Sequence, residues 1–285
     1  MNVVKLIIFA GFLISYSMTG VSRGIGETEI TTDDGIEVFQ NEKYYLLKKN
    51  VIISSDDFKI TSDNVKANFE IDLYDITSLE TKGNSSLNAI KYGINGKGDE
   101  ILINIKSEEI TVIGKNSLLN LQETKMSSDG SIKVNNLLGA FELKGANSNL
   151  KTDDLDIYGK YISGIFVESD GKKQLKKLEV KDKNLLKIYT EDLEMSSQKA
   201  IYDDATNIFE LFTEVKIIKG QEIISGDYGY FDTLKNSLIE FSKTYFPNTY
   251  TDFSPTSGPM SFVSPWPSFI FFAEAFLSVG CSSRF

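Results

Sequence analysis

The chain has 285 residues, 41% of them hydrophobic and 25% charged, with 30 basic and 40 acidic side chains and a net charge of −10. That balance buries a core and argues against disorder throughout, and the length fits one large all-β domain. It contains no histidine and one cysteine, which excludes Ser-His-Asp and Cys-His catalysis, histidine metal sites, thiolate zinc and an internal disulfide; the acidity disfavours a nucleic-acid partner.

Residues 1–20 carry one charge, Lys5, ahead of an apolar run from Leu6 to Ile14 and the small residues Ser15 and Ser17. This is the layout of a secretory signal peptide, with cleavage expected after Ser17 or Gly20. The run is shorter than the roughly 20 apolar residues of a membrane span; an uncleaved anchor is the alternative. An exported chain with so little cysteine relies on its core and strand ladders.

From Glu27 to Phe246 there is no proline, as expected of interior strands that must donate to both neighbours. Leu47–Ile53, Ile101–Ile105, Ile110–Ile113 and Val215–Ile218 are β-branched runs with partial alternation, which predicts strands. Lys82-Gly83-Asn84, Asn95–Gly98 and Ser128-Asp129-Gly130 carry turn chemistry. Asn116–Met126 and Asn184–Ala200 fit short helices as well as strands.

A pattern recurs inside this region. Ile60-Thr61-Ser62-Asp63, Leu150-Lys151-Thr152-Asp153, Met195-Ser196-Ser197-Gln198 and Ile224-Ser225-Gly226-Asp227 each place an apolar residue before two small or polar ones and Asp or Gln, with small or apolar residues two and four later. Asn50-Val51 precedes the first copy and Glu214-Val215 the last. Such a strand-turn-strand unit cannot bury its apolar face alone, so stacked copies build a continuous core. The spacing of the last two copies is not evident through residues 70–150.

On these residues the chain resembles the OstA-like domain family of lipopolysaccharide-transport proteins, most of all their periplasmic bridge component. Asn50-Val51 with Ile60–Phe69, Lys82-Gly83-Asn84, and Ala200-Ile201-Tyr202-Asp203 leading to Val215 and Ile224–Asp227 carry the resemblance over residues 30–245. The family glycine before Val51 and Val215 is missing, and residues 90–180 match poorly. The resemblance implies a twisted, partly open antiparallel β-jelly roll over residues 27–246, a non-enzymatic periplasmic role and no cofactor. Its implied partners are lipopolysaccharide through the lipid A acyl chains, other OstA-like domains stacked on exposed edge strands, and inner- and outer-membrane transport components. Strands near 37–47 and 223–241 are the expected first and last. The recurring columns then supply the lining of an apolar groove: Val65, Leu155, Ala200 and Gly229; Ala67, Ile157, Tyr202 and Phe231; and Val51, Ile53, Leu211, Val215 and Ile217 from the preceding strands. Alternatively these residues fill a dry core.

Lys172-Lys173, Lys176-Lys177 and Lys181-Lys183 either meet phosphates at a groove mouth or form a solvated face. The pairs Asp33-Asp34, Asp56-Asp57, Asp153-Asp154 and Asp203-Asp204 read as turn formers, because adjacent strand residues point to opposite faces and cannot flank one substrate. A secreted β-solenoid is the reading from another class. All five prolines, the tryptophan and the cysteine lie in residues 247–285, a tail expected to stand outside the fold.

Overall fold

The structure, a computed structural model, describes residues 28–71, 75–89, 92–169, 172–235 and 237–242. The expected signal peptide and the proline-rich tail lie outside them. Seventeen strands follow in order: β1 (Glu29–Thr31), β2 (Ile36–Phe39), β3 (Tyr44–Ser54), β4 (Phe58–Phe69), β5 (Ile76–Ala89), β6 (Ile94–Asn104), β7 (Glu109–Ile113), β8 (Ser117–Leu121), β9 (Thr124–Ser128), β10 (Ser131–Asn135), β11 (Ala140–Lys151), β12 (Asp156–Ser169), β13 (Lys172–Tyr189), β14 (Leu193–Asp203), β15 (Ile208–Lys219), β16 (Glu222–Asp232) and β17 (Ser237–Ser242). The fold is all-β, and every registered pairing is antiparallel, most of them between strands adjacent in sequence. The two segments that also fit helices, Asn116–Met126 and Asn184–Ala200, are strands: β8–β9 and the β13–β14 hairpin.

The long strands bend in their middles, where the registers jump: between Lys48 and Val51, Lys82 and Ser85, Lys144 and Ser148, Lys181 and Leu186, and Phe212 and Val215. β7 and β8 are two halves of one such strand, since both register with β6, and β9 and β10 are likewise halves facing β11. The bends align, so one continuous sheet is folded lengthwise into two layers. The half-strands holding Leu47, Val65 and Ala200 form the upper layer, and those holding Ile53, Ile60 and Ile157 the lower. Inward-facing apolar residues of both belong to one buried cluster, the jelly-roll solution to covering two apolar sheet faces with each other.

The bends have a two-strand repeat. On one set of strands an extra pair adopts left-handed backbone: Lys49 (φ 60°) and Asn50 (φ 50°), Gly83 (φ 84°) and Asn84 (φ 47°), Thr213 (φ 66°) and Glu214 (φ 54°). Such bulges bend a strand and sharpen its twist. The intervening strands carry a small residue followed by a polar one: Ser62-Asp63, Gly98-Asp99, Ser128-Asp129, Gly159-Lys160, Ser197-Gln198 and Gly226-Asp227. The small residue lets the layers close together at the fold line, and the polar one turns outward to the neighbouring bulge. Asn84 Nδ2 donates to Asp63 Oδ2 at 3.1 Å, and Asn147 donates to Asp129 from its backbone N–H (3.0 Å) and from Nδ2 (2.8 Å).

This corrects the recurrence. Three of its copies fall on fold-line positions, but Leu150–Asp153 does not: Thr152 and Asp153 lie in the β11–β12 hairpin turn, where the Thr152 N–H donates to the Leu155 carbonyl. Lys82-Gly83-Asn84, Asn95–Gly98 and Ser128-Asp129-Gly130 are bends or strand interior, not interstrand turns. Positions 62, 98, 128, 159, 197 and 226 recur every 29 to 38 residues, through the stretch where the spacing was not evident.

Candidate functional site

Strand registers convert the sheet into rows of side chains. Nearest the fold line in the upper layer, one row runs Leu47, Val65, Thr81, Ile101, Val112, Ile132, Leu143, Ile162, Val180, Ala200, Leu211 and Gly229. Every member is buried. Its one polar member, Thr81, donates to Ser85 Oγ (2.7 Å) and accepts from the Ile101 N–H (2.8 Å). Two residues further out a second row passes through Ala67, Leu79, Ile103, Phe141, Tyr202, Phe209 and Phe231. The lower layer has its own, through Ile53, Ile60, Leu87, Leu119, Met126, Leu150, Ile157, Ile188, Met195 and Ile217.

The structure therefore gathers nearly all of the expected lining. Val65, Ala200 and Leu211 share the first row with Gly229. Ala67, Tyr202 and Phe231 share the second; Ile53, Ile157 and Ile217 share the third. Val51 and Val215 stand at the fold line opposite the small residues Ser62 and Gly226. Leu155 does not join the row of Val65: it sits at the start of β12 beyond a turn and packs against the core from its margin. Ile157 belongs to the lower layer, in the wall opposite the layer of Val65 and Ala67 and several strands further along the sheet.

Burial grades across this interior. At the fold line Val65, Ile157 and Ala200 are fully buried, and the facing rows touch: a Cβ on Gly96 of the lower layer would lie 3.6 Å from Val112 of the upper. Toward the free margins coverage is mixed: Tyr45, Phe58, Leu79, Ile103, Ile110, Leu155, Leu175 and Tyr202 are only partly covered, while Ala67, Phe141, Phe209 and Phe231 are buried. The interior is a wedge, closed along the bends and apolar out to its mouth. In this structure the faces meet, and no open bore separates the expected lining residues.

The two rims differ. Hairpin turns at the upper margin expose Ile71, Ile105, Leu137, Leu138 and Leu234, whereas those at the lower margin present Asp56, Asp57, Asp153, Asp154, Glu191 and Asp192. Between them, the tip of the β12–β13 hairpin runs past its neighbours, with Phe166 to Ser169 registered only against Lys172 to Leu175. Phe166 stacks on Phe141 at 4.4 Å, and the Lys173 N–H reaches the opposite rim to donate to Gln122 Oε1 at 3.0 Å.

The lysine cluster is largely paired within the sheet. Lys176 Nζ lies 2.8 Å from Asp204, Lys177 3.5 Å from Asp203, and Lys181 2.9 Å from Glu179. Burial would raise the Glu179 pKa, but hydrogen bonds from Lys181 and Lys199 outweigh it and hold the carboxyl below its ordinary value. The Asp203 carboxyl is also lowered, first by the Ala205 backbone N–H. Tyr202, at the wedge mouth, is raised, first by burial and then by Asp204.

Sequence reasoning missed a buried serine set along the fold line. Ser62, Ser85, Ser117, Ser128, Ser148 and Ser197 are all at most 5% exposed. Their hydroxyls serve backbone groups that the bends remove from the ladder: Ser128 donates to the Lys144 carbonyl at 2.8 Å and accepts from the Gly130 N–H at 3.1 Å. Buried backbone groups require such partners. A serine before Asp was the available signal at Ser62 and Ser128 alone.

No protein-family model matches the chain, and no curated protein matches it. Among solved structures it is similar to LptH, the LptA-homologous periplasmic component of the lipopolysaccharide transport device of Pseudomonas aeruginosa, at 10% identity and a TM-score of 0.33, over 38% of this chain and 76% of that one. The fold description rests on the strand registers above.

Proposed function

We propose that the chain is a non-enzymatic carrier that holds acyl chains of lipopolysaccharide between its two layers, in the periplasm, as part of a bridge between the membranes. The observation that carries the reading is the wedge itself: apolar rows along the length of the sheet, interrupted in the first row only by Thr81, whose hydroxyl is hydrogen-bonded, and sealed at the bends with several partly covered residues at the mouth. An acyl chain lying along the rows contacts equivalent side chains at every strand, so it can slide without crossing a polar barrier. Entry parts the layers at the mouth, where contacts are fewest. Burying about ten methylenes yields on the order of 8 kcal/mol, which offsets the separation of partly covered residues. The residue pattern shared with OstA-like domains supports lipopolysaccharide as the lipid. With Lys176, Lys177 and Lys181 engaged by carboxylates, recognition rests on the tails.

A photo-crosslinking residue at Val65, Ile157 or Val215, expressed in cells that export lipopolysaccharide, is expected to yield lipid A adducts, while one on the outer face at Lys216 yields none. Absence of adducts at all three interior positions would remove the carrier reading. N-terminal sequencing of the mature protein distinguishes a released periplasmic chain from an anchored one.

A further inference from the structure

The fold line is irregular at one strand. At β12 the small–polar pair is Gly159-Lys160, where three earlier pairs, at 62, 98 and 128, end in aspartate. The facing bend in β13, Asp182 to Leu186, sets five residues against two of β12. On the other side β11 bulges at Gly145 to Asn147. Gly159 itself is buried toward the core, where a Cβ would lie 2.7 Å from Val180, and its backbone floors the gap between these two walls, a cleft of about 810 Å³.

Its lining is mixed. Tyr158, 43% exposed, and Tyr189 meet edge to face with ring centroids 6.0 Å apart. Asn149, Asp156 and Lys187 stand beside them. Asn149 Nδ2 donates to Asp156 Oδ1 at 2.6 Å and to the Ile157 carbonyl at 3.0 Å, and Tyr158 Oη donates to Asp156 Oδ2 at 3.3 Å. These contacts fix the polar groups before any ligand arrives, which lowers the ordering cost of binding.

We infer that this cleft binds a neutral oligosaccharide of two or three rings, independently of the acyl wedge. Sugar rings offer flat C–H faces to an exposed tyrosine and hydroxyls that both donate and accept, matching a carboxylate, an amide and an ammonium side by side. The carboxylates of Asp156, which pairs with Lys151 at 3.3 Å, and Asp182 offset the Lys187 ammonium, so the cleft offers no excess cation to a phosphate or another anion. The open ends accommodate a chain longer than one ring.

The test is a chemical-shift titration of the full chain with maltotriose, cellotriose and chitotriose, with inorganic phosphate as the ionic comparison. Shifts confined to residues 146–149, 156–159 and 182–189 are expected with at least one trisaccharide and not with phosphate. Tyr158→Ala and Tyr189→Ala are expected to weaken binding about tenfold with unchanged strand shifts, while Tyr158→Phe, which keeps the ring, binds as the parent does. No shift with any trisaccharide, equal binding by Tyr158→Ala, or a response to phosphate at these residues each overturns the inference. Lipid adducts at Val65 are unaffected in every case, so the carrier reading stands or falls separately.

Discussion

Lys173 and Gln122, 51 residues apart in sequence, join opposite rims of the wedge: the Lys173 N–H donates to Gln122 Oε1 at 3.0 Å. The contact is solvent-exposed and neutral, the weakest class of hydrogen bond. Gln122→Ala is expected to accelerate amide exchange at Lys173 while lowering global stability by less than about 1 kcal/mol. Hydrogen exchange read by NMR checks it; unchanged protection at Lys173 would show that the rims are held by other contacts.

The rows predict a steep difference between neighbouring isoleucines. Ile162 is fully buried between Leu143 and Val180, whereas Ile165 on the same strand is 38% exposed. Ile162→Ala is expected to cost about 2–5 kcal/mol through lost burial and a residual cavity, and Ile165→Ala about 0.5 kcal/mol or less. Denaturant titrations of the two variants decide whether the interior is tightly packed at its centre; a small loss at Ile162 would mean the layers already stand apart.

Thr213 occupies left-handed backbone at φ 66° with its side chain exposed. A β-branched residue is strained there by about 1–2 kcal/mol, more than glycine's entropic penalty of roughly 0.5–1 kcal/mol. Thr213→Gly is expected to raise the melting temperature, and Gly83→Val, at φ 84° against the Asp63 side chain, to lower it.

The Asp129 carboxyl is held below its ordinary value, first by the Asn147 backbone N–H and then, against some desolvation, by the Asn147 side chain. A depressed folded-state value favours folding above the ordinary carboxylate range, and this contribution is lost as the pH falls below about 4. Glu142 and Asp232 are lowered as well, so they act in the same direction. The stability advantage of the parent over Asp129→Asn is expected to be present at pH 6 and to shrink toward pH 3 in urea titrations. An advantage that does not change with pH would place the role of Asp129 outside its charge.

Strand content was legible because the proline-free span and the β-branched runs depend only on local backbone chemistry. Most of the inner rows were legible too, since Ala200, Leu211 and Val215 keep the period of two. The bends were not. Gly83-Asn84 adopts left-handed backbone, the same chemistry a hairpin turn uses, and only pairing distinguishes a strand that turns back from one that passes between layers. Leu150–Asp153 misled for the same reason, because Thr-Asp serves an ordinary hairpin there. The ends fell close to the expected ranges: residues 37–47 take in most of β2 and the start of β3, with the short β1 before them, and residues 223–241 take in most of β16 and β17. The outer cleft left no trace in the pattern, since it arises where the overlong bend of β13 and the bulge of β11 flank β12, and only pairing reveals those extra residues.

Among the described residues, β1 and β2 register with β3, and β17 registers with β16. Because each added hairpin repeats the same cross-section, span along the axis is decoupled from girth. A gene that gained or lost one such pair would yield a longer or shorter folded sheet of identical profile, with no other segment redesigned.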